Sequence, residues 1–262
     1  MTLGTMIVRI SARAVKAASP LAFALGFALT CAILPFAANA MSVTPVVVEM
    51  TAAGQHSRAS LQVINNGAAP LPVEIEISRV ELGANGEQTL KRADEDFRIF
   101  PAQAMVPPGA TQVFRLQWAG EPNLALSQSY IFSVNQLPVK LKKPVSGVNV
   151  VFNFATIVNV APVAGERQLS LVSTGTGRDK SGRMRPSVVI SNPGNMHARL
   201  SDATVTLVRG SWSRTLRPDE IRQVIGVGLV QPRKQRRFLI PVDLPPGGGP
   251  ISAKIEFAKA GP

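Results

Sequence analysis

Short runs of alternating apolar and polar residues recur along most of the chain. Val73-Glu74-Ile75-Glu76-Ile77-Ser78 sets Val73, Ile75 and Ile77 on one face and polar groups on the other, the period-two signature of a half-buried antiparallel strand. Leu61-Gln62-Val63-Ile64 runs into the turn signal Asn65-Asn66-Gly67, and Pro107-Pro108-Gly109 precedes Val113-Phe114-Arg115-Leu116-Gln117-Trp118. Tyr130-Ile131-Phe132-Ser133-Val134 ends at Leu137-Pro138. A second set follows Pro162. Ser187 to Ile190 stops at Asn192-Pro193-Gly194-Asn195, Ala203 to Val208 at Gly210, and Arg237 to Val242 at Pro245-Pro246-Gly247. No segment of convincing length carries a helical period. Short strands bounded by turns predict an all-β chain of the sandwich type. Residues 41–162 and 163–262 each have about the length of one sandwich, so two β-sandwich domains joined near Ala161-Pro162 are expected.

Residues 1–40 break this pattern. They contain no acidic residue, a basic leader with Arg9, Arg13 and Lys16, an apolar run from Leu21 to Phe36, and the small residues Ala38-Asn39-Ala40. This layout predicts a secretory signal cleaved after Ala40. The apolar run contains Pro35 and is shorter than the roughly 20 residues that span a bilayer. Ala28-Leu29-Thr30 before Cys31 is a poor lipoprotein context. Cleavage removes Cys31, and loss of the three basic leader residues lowers the net charge from +12 to +9. The mature chain is expected outside the cytoplasm, soluble, with no membrane insertion.

Composition narrows the chemistry. A 45% hydrophobic content supports a real core. A single cysteine excludes a disulfide framework and a thiolate metal cluster, and two histidines leave little for a zinc site or proton relay. No Gly-x-Ser-x-Gly, P-loop or paired-His motif is present. The expectation is a non-enzyme with no catalytic residue, no cofactor and no metal. His56 and His197 both sit in turn-like contexts and read as solvated surface residues. Gly175-Thr176-Gly177 through Arg183 reads as a hairpin loop, and Asp94-Glu95-Asp96 as a solvated charged loop, since further oxygen ligands at regular spacing are missing. The basic clusters Lys140-Leu141-Lys142-Lys143 and Arg233-Lys234-Gln235-Arg236-Arg237 read as solubilising surface or as contacts for acidic partners. Nucleic acid is disfavoured, because no stacking aromatics are interleaved.

One segment stands apart. Gly147-Val148-Asn149-Val150-Val151-Phe152-Asn153-Phe154 sets Val148, Val150, Phe152 and Phe154 on one face, directly after the basic loop Pro138 to Ser146. The plainer reading is a sandwich strand with that face in its own core; the functional one is a strand offered to another protein.

Taken together, these segments resemble the periplasmic pilus (fimbrial) assembly chaperones. The stretch from Phe97-Arg98-Ile99-Phe100-Pro101 through Val106-Pro107-Pro108-Gly109 to Val113-Phe114-Arg115-Leu116 is similar to that family's proline, Pro-Gly and Arg-bearing strand. Ser129-Tyr130-Ile131-Phe132 with Gln136-Leu137-Pro138 is similar to its tyrosine strand. Asn192-Pro193-Gly194-Asn195 and Leu229-Val230-Gln231-Pro232-Arg233 to Arg237-Phe238 are similar to its second domain. The resemblance implies two immunoglobulin-like sandwiches in an L shape. It also implies an ATP-independent periplasmic chaperone that completes pilus subunits by lending a strand and delivers them to an outer-membrane usher. Counted back from Pro162, the lending positions fall on Val148, Val150 and Phe152. The family's basic pair, which grips the subunit's terminal carboxylate, falls on Val47 and Ile157. Both are apolar here, so a divergent branch with another anchor, Arg115 being the first choice, is implied. The competing expectation is an exported structural or adhesive β-sandwich without a client; an exported hydrolase ranks last, for want of a nucleophile and base.

Overall fold

In the computed structural model the described residues are 41–137, 151–247 and 249–257. The first ten strands are β1 (Met41–Thr44), β2 (Val47–Thr51), β3 (Arg58–Asn65), β4 (Leu71–Leu82), β5 (Gln88–Arg92), β6 (Phe97–Phe100), β7 (Gln103–Val106), β8 (Thr111–Trp118), β9 (Gln128–Gln136) and β10 (Asn153–Ala161). They form two sheets, β1-β3-β8-β6 and β2-β10-β9-β4-β5, with β7 also paired to β4. The inward positions of the alternating runs fill the space between them: Val73 and Ile77 from β4, Leu61 and Val63 from β3, Phe114 and Leu116 from β8. Phe97 meets Trp118, Tyr130 and Phe132 edge-on, with centroids 5.1, 4.9 and 4.8 Å apart, the arrangement aromatic quadrupoles favour. Asp94-Glu95-Asp96 is a short 3-10 turn whose acids serve this core. Asp94 accepts a hydrogen bond from the Ile77 N–H, and Asp96 lies 2.6 Å from the Tyr130 hydroxyl. Burial, followed by that carboxylate, pushes the Tyr130 pKa up.

The first two of the described strands divide between the sheets. β1 pairs with β3 in an antiparallel ladder; after the cis Thr44–Pro45 peptide, β2 pairs in parallel with β10.

The remaining strands are β11 (Ser170–Arg178), β12 (Met184–Ser191), β13 (Ala198–Arg199), β14 (Ala203–Arg209), β15 (Trp212–Leu216), β16 (Leu229–Val230), β17 (Gln235–Leu239) and β18 (Ser252–Phe257). They assemble as β11-β12-β17, β15-β14-β18 and the pair β13-β16 around a mainly aliphatic second core that includes Val188, Ile190, Leu200, Val205, Leu207, Phe238 and Ile240. Two details of its secondary structure depart from the sequence reading. A helix, α1 (Pro218–Val224), interrupts the strands; Pro218 opens it, Glu220 accepts from the Arg217 N–H, and Ile221 is buried. At seven residues it is too short to display a helical period. And Gly175 to Arg178 is not loop but the end of β11, paired with β12. Gly177 fits there because a Cβ would meet Leu239 Cδ2 at 2.7 Å. Asp179 closes the turn, accepting from the Ser181 and Arg183 N–H groups and pairing with Arg185.

Direct bonds join the two sandwiches. Gln231 accepts from the Leu82 N–H and donates to the Val80 carbonyl, both at 2.8 Å; Arg237 N–H donates to Ala84 O and Ser127 N–H to Asn195 O.

Candidate functional site

β10 is built in two halves. From Ile157 to Ala161 it has neighbours on both sides: β9 on one, and β2 on the other in the register Ile157↔Val47 to Ala161↔Thr51. Before Ile157, among the described residues, only β9 pairs with it. Backbone groups of successive residues in an antiparallel pair point alternately toward and away from the partner. Phe152 O accepts from Gln136 N–H on the β9 side, and Ile157 N–H donates to Val46 O on the other. The N–H and C=O groups of Asn153 and Ala155 therefore point away from β9, where no strand pairs with them among the described residues. Val46, just before β2, is 64% exposed, and Val151 is 53% exposed. An unpaired stretch of this kind is a template for a strand from another chain.

The two faces of this half-strand differ. On the outer face Asn153 donates to Asn135 and Asn135 to Glu76, a polar ladder across β10, β9 and β4. On the inner face Phe152 and Phe154 are half-buried against the first core. For these two side chains the plainer core reading applies at least in part. Val148 and Val150, the other two residues expected on the lending face, lie outside the described residues.

Val47 and Ile157 are brought together as directly paired neighbours in the parallel ladder. Their pairing places two apolar residues at the spot where the resemblance puts a basic pair. Arg115 is not brought there. It lies on β8, in the opposite sheet, exposed on the outer face beside Arg58 and Arg98 in a groove of about 510 Å³.

Sequence reasoning missed a polar cluster at the base of the strand. His197 is not a solvated turn residue. It is 1% exposed, its Nε2 lies 2.6 Å from Glu49 Oε2 and its Nδ1 3.1 Å from Ser127 Oγ. Glu49, on β2, also accepts from Arg199 Nη1 at 3.0 Å and from Asn159 Nδ2 at 3.2 Å. Burial alone would raise the Glu49 pKa. The His197 hydrogen bond and charge, then Arg199 and Asn159, outweigh it and hold the carboxyl below its usual 4.5. An ionised carboxylate only accepts, so His197 Nε2 is the donor in this bond. No local signal marks this cluster, because Glu49 and His197 are 148 positions apart.

The architecture is shared with proteins of known structure. No protein-family model matches the sequence, and no curated protein does. The Class 5 fimbriae chaperone CfaA is similar at 13% identity over 84% of this chain and 100% of its own, with a TM-score of 0.50. The YadV chaperone is similar at 13% identity over 83% of this chain and 91% of its own, TM-score 0.51. A chain of the complex between the Salmonella enterica SafA pilin and the SafB chaperone is similar at 13% identity over 78% of this chain and 85% of its own, TM-score 0.52. At this identity the likeness is one of fold: two immunoglobulin-like β-sandwiches, as in the fimbrial chaperones.

Proposed function

We propose that the protein is a periplasmic chaperone of pilus or fimbrial subunits, which holds an incomplete subunit on the open half of β10 and passes it to an outer-membrane usher. The observation that carries this reading is the strand with two halves: the same β10 that β2 locks from Ile157 onward has, among the described residues, no strand on the side away from β9 at Asn153 and Ala155. Strand addition supplies main-chain hydrogen bonds along the edge and takes specificity from alternate side chains in a groove. The side chains on offer are Val148, Val150 and Phe152, with Phe154 at the boundary of the chaperone's own core. The shared fold supports the reading. So does the leader, which addresses the chain out of the cytoplasm. Among the described residues no helix is long and apolar enough to cross a membrane. On this reading residues 1–40 are removed, 41–162 form the subunit-holding domain and 163–262 the second sandwich.

Coexpression with a pilin-like subunit, followed by periplasmic pull-down, tests the proposal. The wild-type chain is expected to carry the subunit, and Val150→Arg to lose it while keeping its melting temperature. A Val150→Arg chain that carries subunit normally would defeat strand lending; one that unfolds would return this segment to an ordinary core strand. Mass measurement of the exported protein is expected to begin at Met41, and retention of residues 1–40 in the membrane pellet would refute the cleaved leader.

A further inference from the structure

The charge of the chain is divided unevenly. Residues 41–162 hold nine Lys and Arg against nine Asp and Glu, and residues 163–262 hold sixteen against seven. The whole excess of +9 beyond the leader therefore belongs to the second sandwich. Like charges gathered on one body repel each other and weaken its fold. Where they stand on that sandwich points to what they meet.

The hairpin β11–β12 starts at the joint. Ser170 pairs with Ser191, close before Asn195, which accepts from the Ser127 N–H of the first sandwich. β11 runs from there to Arg178, which carries the hairpin tip about 27 Å from the joint. Arg178, Lys180 and Arg183 are exposed at the tip, and Met184 is 43% exposed. Asp179 and Asp243 do not neutralise them: both pair with the buried Arg185, and Asp179 also accepts from the Ser181 and Arg183 N–H groups. Arg183 comes within 3.7 Å of Asp179, whereas Arg178 and Lys180 have no acidic partner among the described residues. The turn of the hairpin β14–β15 reaches the same end. Arg209 there donates to the Pro245 carbonyl, just after Asp243, and pairs in register with Trp212. Trp212 is half-buried against the second core.

Cations on protruding turns, with an indole and a thioether beside them, match the surface of an anionic lipid bilayer. Phosphates attract the long basic side chains, and an indole is at home between headgroup and acyl chain. A protein partner is met instead by a broad face with a packed apolar centre, which two turns at one end of a sandwich do not present. We propose that this distal end of the second sandwich binds peripherally to anionic phospholipid bilayers, with Arg178, Lys180 and Arg183 at the phosphates and Trp212 at the interface. Nothing spans the bilayer. The first sandwich, whose charges cancel, is held off the lipid with the open half of β10 clear of it. The proposal stands whether or not β10 is a docking edge.

The test is cosedimentation of residues 41–262 with vesicles of phosphatidylcholine, either alone or with about one quarter phosphatidylglycerol. The wild-type chain is expected to pellet with the anionic vesicles and not with the neutral ones. It is expected to be released as salt rises to about 0.5 M, where charges are screened within a few ångströms. A cation at an anionic surface is worth about fivefold in affinity, so Arg178→Gln with Lys180→Gln is expected to bind about ten- to thirtyfold more weakly. Arg233→Gln with Arg237→Gln removes the same charge near the joint, where the Arg237 N–H donates to Ala84 O, and is expected to cost less than about threefold. Trp118 is buried in the first core, so quenching by bromine-bearing phosphatidylglycerol reads the second of the two tryptophans, Trp212; its emission is expected to be quenched. These wild-type readings hold whether or not a variant folds. Equal losses in the two double variants, or pelleting with unquenched emission, would overturn the assignment to this end. A wild-type chain that ignores anionic vesicles overturns the proposal outright, and its retention on immobilised polyglutamate would give the cations to an acidic protein instead.

Discussion

Residues 153–156 and 157–161 belong to one strand and share one partner, β9, yet their surroundings are opposite. In the second half every backbone group has a neighbour, Val158 and Val160 are fully buried, and Asn159 is buried with its amide on Glu49 and its oxygen receiving the Ser129 hydroxyl. In the first half Asn153 and Ala155 are exposed, and their outward backbone groups have no strand beside them among the described residues. The difference originates 110 positions earlier, in the chain's change of sheet at Thr44–Pro45, which brings β2 alongside β10 only from Ile157 on. One strand thus anchors a fold at one end and offers an edge at the other. The open edge need carry little of the fold's own stability, and substitutions should separate the two roles.

The largest effect is expected where the strand is locked. Val158→Asp places a carboxylate in a position of zero exposure among apolar neighbours. An unpaired buried charge costs several kcal/mol, a large part of a domain's total stability. The variant is expected to be unfolded or absent from the periplasm by circular dichroism and yield. Ala155→Asp, three residues earlier, is expected to melt within about 0.5 kcal/mol of wild type, as surface changes do. If both variants fall together, the two halves are one cooperative core and the comparison fails.

Glu49 ties the locked half to the second sandwich through His197 and Arg199. Glu49→Gln removes the charge that these partners face, and hydrogen bonds to charged groups predict a loss of about 1.5–3 kcal/mol in urea unfolding at neutral pH. The pH dependence has a definite sign. The folded-state pKa of Glu49 lies below its ordinary 4.5, so its contribution is complete above that value and is lost as the pH falls through the lower, folded one. Wild-type stability is expected to drop below about pH 4.5 more steeply than that of Glu49→Gln. Parallel acid limbs would show that Glu49 carries no such linkage.

Much of the fold was legible in the chain. Inward positions such as Val73, Ile77, Leu61, Phe114 and Tyr130 follow from period-two alternation, because burial of one sheet face is a local constraint. Two sandwiches followed from length and turn spacing. The site was legible only in part. Alternation named one face of the run Val148 to Phe154, yet it could not show that Phe152 and Phe154 touch the first core, since that depends on the opposite sheet. The basic run Arg233 to Arg237 reads as solubilising surface or as a contact for acidic partners, and only tertiary packing shows that Arg236, unlike Arg233 and Arg237, stands over Phe238. His197 was misread for a similar reason, its partners Glu49 and Ser127 being remote in sequence.

A subtler substitution tests the backbone of the open half. Ala155→Pro removes an N–H that points away from β9, a position where an edge strand tolerates proline. Its own fold is expected to melt almost unchanged. An added strand would lose one hydrogen bond, so subunit retention is expected to fall about three- to tenfold on the usual net value of such a bond. Unchanged retention would mean that the subunit is held by side chains alone, without main-chain pairing at this position.

The smallest effect is expected at Arg115. Its place on an Arg-bearing strand makes it a natural candidate for the missing anchor as long as only the sequence is considered. In the fold its strand lies in the sheet opposite β10, with Arg115 on the outer face between Ser60 of β3 and Phe100 of β6. Nothing on that face reaches Val47 or Ile157 without crossing the first core. Arg115→Ala is therefore expected to leave both the melting temperature and subunit retention near wild type, in the coexpression assay where Val150→Arg is expected to lose its subunit. Loss of retention with Arg115→Ala, with the fold intact, would place a second contact surface on the outer sheet. It would also mean that the open half of β10 is not sufficient to hold the client.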